Sequence, residues 1–180
     1  MRAVLDACVL FPTVLREILL GVAAEGIYRP LWSGRIIEEW CRATRRIGPE
    51  AEARARADAA LICARFPEAM LPAAPGVEAR LHLPDPDDRH VLAVAVAAGA
   101  DALVTLNTGD FPLRVLAGEG IVRREPDGLL WEFWSHHPEA VARVIAGVHA
   151  RAETAAGREV ALRGLLRRAR LPRLGRALAG

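Results

Sequence analysis

The sixteen residues from Val91 to Leu106 constrain the fold more than any other stretch of the chain. Val91 through Ala98 is apolar on every side, so a helix formed there is buried all round rather than amphipathic. Gly99 is a helix stop, and Ala102-Leu103-Val104-Thr105-Leu106 is a short apolar run of the fully buried strand type. A buried helix followed closely by a buried strand is an α/β arrangement. Just upstream, Asp85 suits an N-cap, Pro86 suits the first helical position, and Asp87 and Asp88 fall in the first turn. Just downstream, Asn107-Thr108-Gly109-Asp110 carries turn chemistry. Carboxylates therefore flank the helix start and the strand end, and α/β sheets hold ligands beyond the carboxyl ends of their strands.

The remaining segments fit that frame. Ala3-Val4-Leu5 reads as a first, central strand ending at Asp6. A helix beginning near Pro12 carries Val14, Leu15, Ile18, Leu19 and Val22 at helical spacing, which predicts packing on the sheet. Tyr28 to Trp32 is a short strand or extended link, and Ser33 offers an N-cap to a helix through Ile36, Ile37, Trp40 and Cys41. Pro49 to Phe66 is a long helix with Glu50–Arg54 and Glu52–Arg56 pairs on an exposed face and Leu61, Ile62 and Ala64 as contact residues. Pro67 to Gly76 reads as a linker, and Val77 to Leu83 alternates like a half-buried strand. Leu113 to Leu116 is a helical turn and Ile121-Val122 a closing strand. From Gly128 onward the pattern is helical only. The boundaries drawn are an α/β domain over 1–125 and a helical C-terminal extension with a basic tail over 126–180.

Absences exclude several function classes. The chain contains no lysine, and all 24 of its basic residues are arginine. That removes P-loop nucleotide sites and Schiff-base chemistry, and it argues against a receiver domain. Ser33 and Ser135 are the only serines and no G-x-S-x-G occurs, which argues against a serine hydrolase as well. Cys8, Cys41 and Cys63 have no metal-ligand spacing and read as buried small hydrophobes in a reduced, cytoplasmic protein. No apolar run reaches the length of a membrane span, and the N-terminus lacks a signal-peptide pattern.

The helix–strand–turn unit resembles the third and fourth motifs of PIN-domain ribonucleases, the fold of VapC-type toxins. The residues that carry the resemblance are Asp88, Ala93, Ala95, Thr105, Asn107, Asp110 and Phe111, in the branch with a T-x-N-x-x-D-F fourth motif. Asp6, at the tip of the first strand, resembles the first motif. The helix sequence IIEEW resembles the second, with Glu39 the better match and Glu38 the reserve. The resemblance implies a PIN-like α/β fold: a central, mostly parallel sheet flanked by helices, here with a C-terminal helical extension. It also implies a catalytic and metal-binding set of Asp6, Glu39, Asp88 and Asp110, with Asn107 standing where many relatives have the last Asp. The implied partners are an RNA substrate, a cognate antitoxin and a second copy of the chain in a homodimer.

Four carboxylates drawn into one place repel: two unit charges about 4 Å apart interact by roughly 4 kcal/mol at an effective dielectric near 20. Such a cluster takes up protons or a cation, and hard oxygen ligands select Mg²⁺ or Mn²⁺. The implied reaction is hydrolysis of an RNA phosphodiester by metal-activated water. Thr105, at a strand end, is placed to order a ligand, and Arg89 is a candidate for phosphate contact. The alternative is a degenerate PIN domain that binds RNA or protein without cleaving, which Asn107 favours.

Charge separates along the chain: residues 143–180 hold 9 Arg against 2 Glu, whereas residues 1–142 hold 15 Arg against 20 acids. Leu162, Leu165, Leu166 and Ala169 form an apolar stripe beside Arg163, Arg167 and Arg170. An amphipathic helix docked by those leucines would present the three arginines to RNA phosphates.

Overall fold

The computed structural model describes residues 1–178. They form two compact units: residues 1–11 with 29–123, and residues 12–28 with the described residues from 124 onward.

The first unit is built on a five-stranded sheet of order β3-β2-β1-β4-β5. Its strands are β1 (Arg2–Leu5), β2 (Arg29–Ser33), β3 (Met70–Leu71), β4 (Ala102–Val104) and β5 (Val122–Arg124). Strand β1 pairs in parallel with β2 on one side and β4 on the other, and β2 pairs in parallel with β3. The strand order therefore reverses between β1 and β4, which makes the carboxyl end of that pair the switch-point crevice of the sheet. This is the α/β arrangement expected from the sequence, a parallel sheet flanked by helices. The covering helices include α1 (Ala7–Leu10), α3 (Gly34–Thr44), α4 (Pro49–Arg65), α5 (Pro75–Glu78), α6 (Arg89–Ala97) and α7 (Leu113–Gly118).

Helix α6 is the buried one: Val91, Leu92, Ala93, Val94 and Ala95 are all at most 2% exposed. It stops where the sequence says it should. Gly99 adopts φ 58°, and the Ala100 N–H reaches back to the Ala95 carbonyl at 2.9 Å, closing a left-handed C-terminal turn. Its start differs from the pattern, because Pro86–Asp88 forms a 3-10 turn before α6 begins at Arg89. Asp85 caps that turn, accepting the Asp87 N–H at 2.9 Å.

Three expectations need correction in this unit. The stretch Val77 to Leu83 is no strand: Pro75 starts the four-residue helix α5, whose chain then closes through an Arg80 N–H to Val77 C=O bond. The expected linker after α4 holds a 3-10 turn and the two-residue strand β3, too short to leave an apolar run. On α4 the buried residues are Ala55 and Ala59, whereas Leu61 is exposed.

The second unit is helical: α2 (Thr13–Ala24), α8 (Pro126–His136), α9 (Pro138–Ala156), α10 (Leu162–Arg168) and α11 (Pro172–Ala177). Helix α2, expected against the sheet, is grouped here and packs on α9. Gly21 permits that approach, since a Cβ there would meet Val144 Cγ1 at 2.5 Å. Tyr28 stacks on Phe133 with ring centroids 5.3 Å apart. The single amphipathic helix expected over the arginine-rich tail is instead two short helices. They are broken at Arg170, which takes φ 61°, and at the Leu171-Pro172 step. Residues 179 and 180 lie outside the described residues.

Candidate active site

Three adjacent parallel strands, β2, β1 and β4, each deliver one polar residue to the carboxyl edge of the sheet. Asp6 follows β1, its N–H continuing the ladder to the Val104 carbonyl at 3.1 Å. Ser33 ends β2 and caps α3, accepting the Ile36 N–H. Thr105 follows β4 and is fully buried. Asp6 is itself only 5% exposed, so its carboxylate needs donors. Two converge on its Oδ2: the Thr105 hydroxyl at 2.7 Å and the Cys8 thiol at 3.0 Å. The Thr105 oxygen in turn accepts the Asn107 N–H at 2.9 Å, and the Cys8 sulfur accepts the Leu106 N–H at 3.2 Å. Burial, then the adjacent Asp6 charge, pushes the Cys8 thiol up to about 12, so it remains a protonated donor. The two strand ends are thus fixed to one another through Asp6, and Cys8 is part of that network rather than a mere core hydrophobe.

The turn after β4 brings the next groups in. Asn107 Nδ2 donates to Asp110 at 2.5 Å and to Asp88 at 3.4 Å. In this orientation the amide nitrogen lies between two carboxylates, and rotating the amide by half a turn would present its carbonyl oxygen instead. Asp85, Asp88 and Asp110 each offer an oxygen, and the three oxygens lie within 4.8 Å of one another. Asp85 is the member that sequence reasoning missed. Its capping role accounted for it fully, although Asp85 and Asp88 lie only one 3-10 turn apart.

Asp88 is half-buried and feels every other carboxylate at this edge. Burial first, then the charges of Asp6, Asp85, Asp110 and Glu39, raises its pKa from 3.8 to about 7. Glu39 reaches it from α3. Glu39 Oε1 lies 2.8 Å from His90 Nε2, an ion-pair distance without hydrogen-bond alignment, and 3.4 Å from Arg35 Nε. Glu38 faces elsewhere, held by Arg42 at 2.7 Å and Arg56 at 2.9 Å. His90 is only 4% exposed and turns toward Glu39. Arg89 is half-buried, and its Nε donates to the Pro86 carbonyl at 3.0 Å, bracing the 3-10 turn. Arg163, Arg167 and Arg170 belong to the second unit, on α10 and in the turn after it, and take no part in this cluster.

A family model described as a PIN domain matches residues 2–109, which span β1 through the turn after β4. The chain belongs to the PIN-domain family. No curated protein matches it, and no solved structure does. PIN domains are generally nucleases that use divalent metal ions, and the Asp85–Asp88–Asp110 cluster is compatible with such an ion. The donor set is all oxygen, which is the chemistry of a hard cation. Burial first and the neighbouring carboxylates second disfavour the charged form of Asp88, and a cation beside it would reverse that preference. Among the described residues, no helix is long and apolar enough to cross a membrane.

Proposed function

We propose that this PIN domain is a Mg²⁺- or Mn²⁺-dependent endoribonuclease, acting in the cytoplasm as the toxin of a toxin–antitoxin pair. The observation that carries the reading is the convergence of carboxylates on Asp88 at the switch-point edge of the sheet, where the oxygens of Asp85, Asp88 and Asp110 lie within 4.8 Å of one another. Asp6, Asp88 and Asp110 are the cation-holding carboxylates, with Glu39 and Asn107 beside them and Asp85 added by geometry. A bound divalent ion would supply charge for the phosphate oxygens and a lowered pKa for attacking water. The chain's own residues do the rest. Thr105 and Cys8 hold Asp6 in one orientation, and Asn107 keeps Asp88 and Asp110 together until a cation replaces its N–H₂ donation. Asp88, raised to about 7 without a cation, would give up its proton as a divalent ion binds and then serve as a charged ligand. Ribonuclease chemistry does not fix a biological role, so the toxin assignment, a covering antitoxin and homodimer formation rest on the resemblance of the motifs.

A second reading is favoured by one contact. The Asn107 amide already supplies a positive dipole between Asp88 and Asp110, as a stand-in for a cation would. On that reading the PIN domain binds RNA or protein without cutting. RNA digestion with Mn²⁺, with Mg²⁺ and with EDTA separates the two. The nuclease reading requires divalent-dependent cleavage by the wild type and its loss in Asp88→Asn. Intact RNA under every condition supports the binding module.

A further inference from the structure

Eight arginines outside the C-terminal hairpin hold a carboxylate. In the first unit Arg35, Arg42, Arg45, Arg56 and Arg80 each hold a glutamate at 2.6 to 3.1 Å. In the second, Arg143 and Arg151 hold Glu25 and Glu17. The α10–α11 hairpin breaks the pattern. Residues 162–177 contain six arginines and no acid. Among the described residues, no carboxylate lies within 4.0 Å of a guanidinium nitrogen of Arg163, Arg167 or Arg176. Asp127, which does face the hairpin, is occupied by the backbone N–H groups of Arg173 and Leu174 at 2.8 and 3.0 Å. Arg173 lies over the Trp131 ring, 3.6 Å from its centroid.

The three unpaired arginines are not scattered. Arg163 and Arg167 from α10 and Arg176 from α11 line one pocket of about 340 Å³, together with Gly164, Pro172 and Gly175. That volume falls in the roughly 300–1,000 Å³ class of ligand pockets. The fold fixes its shape. Leu165, Leu166, Leu171 and Leu174 are buried beneath the hairpin, and the Leu171 N–H bonds the Leu166 carbonyl at 2.8 Å across the turn. Gly175 on α11 faces Leu166 on α10 closely enough that a Cβ there would sit in ordinary contact with Leu166 Cβ, at 3.4 Å. Of the strip expected from sequence, Arg170 does not line the pocket, and Arg176 takes its place.

Three guanidinium groups around one space repel, and arginine cannot relieve this by losing a proton. An anion can. Guanidinium forks match phosphate oxygens in paired hydrogen bonds, and successive phosphodiesters of one strand offer a separate pair of anionic oxygens to each of several guanidiniums. We propose that the α10–α11 pocket binds the phosphates of an RNA strand. The choice of RNA among phosphate carriers rests on the ribonuclease reading of the first unit.

The test measures binding of a labelled single-stranded RNA 12-mer to the full chain by fluorescence anisotropy across a salt series, in EDTA so that cleavage cannot contribute. Three proteins are compared. One is wild type, one carries Arg163→Gln, Arg167→Gln and Arg176→Gln, and a control carries Arg29→Gln, Arg54→Gln and Arg114→Gln at exposed positions of the first unit. Loss of three phosphate contacts should flatten the log–log salt slope by about 2 and lower low-salt affinity at least ~10-fold in the pocket variant alone. Should that variant not fold, triple lysine replacement carries the test: the slope should persist while affinity falls about threefold, because the forks are lost and the charge kept. Cleavage assays on Asp88→Asn judge the nuclease reading separately, so either conclusion can fail without the other. Equal slopes in the pocket and control variants, or pocket-dependent binding of polyglutamate with RNA binding unaltered, would overturn the proposal.

Discussion

The sheet edge and the α10–α11 hairpin both gather charges of one sign, and they manage the repulsion in opposite ways. At the sheet edge the groups are carboxylates drawn from β1, α3, the 3-10 turn before α6 and the turn after β4. Asp88, half-buried among them, can lower its charge by keeping a proton, and its pKa is raised to about 7. In the hairpin the groups are guanidiniums that stay charged at any pH a cell experiences, so they remain exposed. The first arrangement depends on long-range sheet assembly, the second on sixteen consecutive residues. Titratable like charges mark a site that can exchange protons or a cation for one another. Untitratable ones mark a site that only a counterion completes.

The largest expected effect separates the carboxylates themselves. Asp88→Asn removes the residue on which the other charges converge and should cut divalent-dependent RNA cleavage by more than ~100-fold with circular dichroism unchanged. Asp85→Asn, at an exposed position, should cost about tenfold, the scale of a supporting ligand contact. Equal losses at the two positions would mean that the cluster acts as one diffuse charge without a centre.

Metal should stabilise the sheet edge and leave the hairpin untouched. At a hundredfold excess over its dissociation constant, Mg²⁺ or Mn²⁺ should add about 2.7 kcal/mol for one site, which Asp88→Asn should reduce sharply. The glutamine variant of the hairpin should keep the full response. Thermal melts with and without Mn²⁺ decide this, and an undiminished shift in Asp88→Asn would remove Asp88 from the ligand set.

Acidity should distinguish the edge further. Between 3.8, the ordinary aspartate value, and about 7, folded Asp88 holds a proton that the unfolded chain has released. The unfolded state binds fewer protons there, so stability of the metal-free protein falls as pH rises through that window and levels off outside it. Half exposure screens the effect to about 1–2 kcal/mol. Asp88→Asn should flatten the profile between pH 4 and 7 and leave the metal-free variant at least as stable as wild type at pH 7. A wild-type melting temperature that rises across this window would show that burial is not raising the Asp88 pKa.

Much of the sheet edge was legible in sequence because its parts are local. An all-apolar helix with acids at its start, a glycine stop, a buried strand and an Asn-to-Asp turn each leave a pattern within a few residues. What escaped notice depends on partners remote in sequence or on residues with two roles. Asp85 reads as a cap and is one, yet it also faces Asp110 across the cluster. His90 looks like a surface group until α3 sets Glu39 against it. Cys8 is unremarkable without Thr105 ninety-seven positions later. Two errors were local: Pro75 outweighs the alternation that follows it, and Leu171-Pro172 breaks the leucine stripe of the tail.

The smallest expected effect concerns the hairpin alone and asks whether its charges are truly uncompensated. If Arg163, Arg167 and Arg176 repel one another across their pocket, replacing all three by glutamine should raise the melting temperature at low ionic strength. Exposed charges interact weakly, so the rise should be about 1–2 °C for a protein of this size. Raising salt to 1 M shortens the screening length to about 3 Å and should erase the difference between variant and wild type. Phosphate at equal ionic strength should do more than chloride, because it enters the pocket as well as screening it. Parallel melts in the two salts therefore read the same site that the RNA experiment reads, without RNA. A variant that melts below wild type at low salt would instead mean that these side chains support the hairpin through packing of their stems, and that the pocket is not strained by charge.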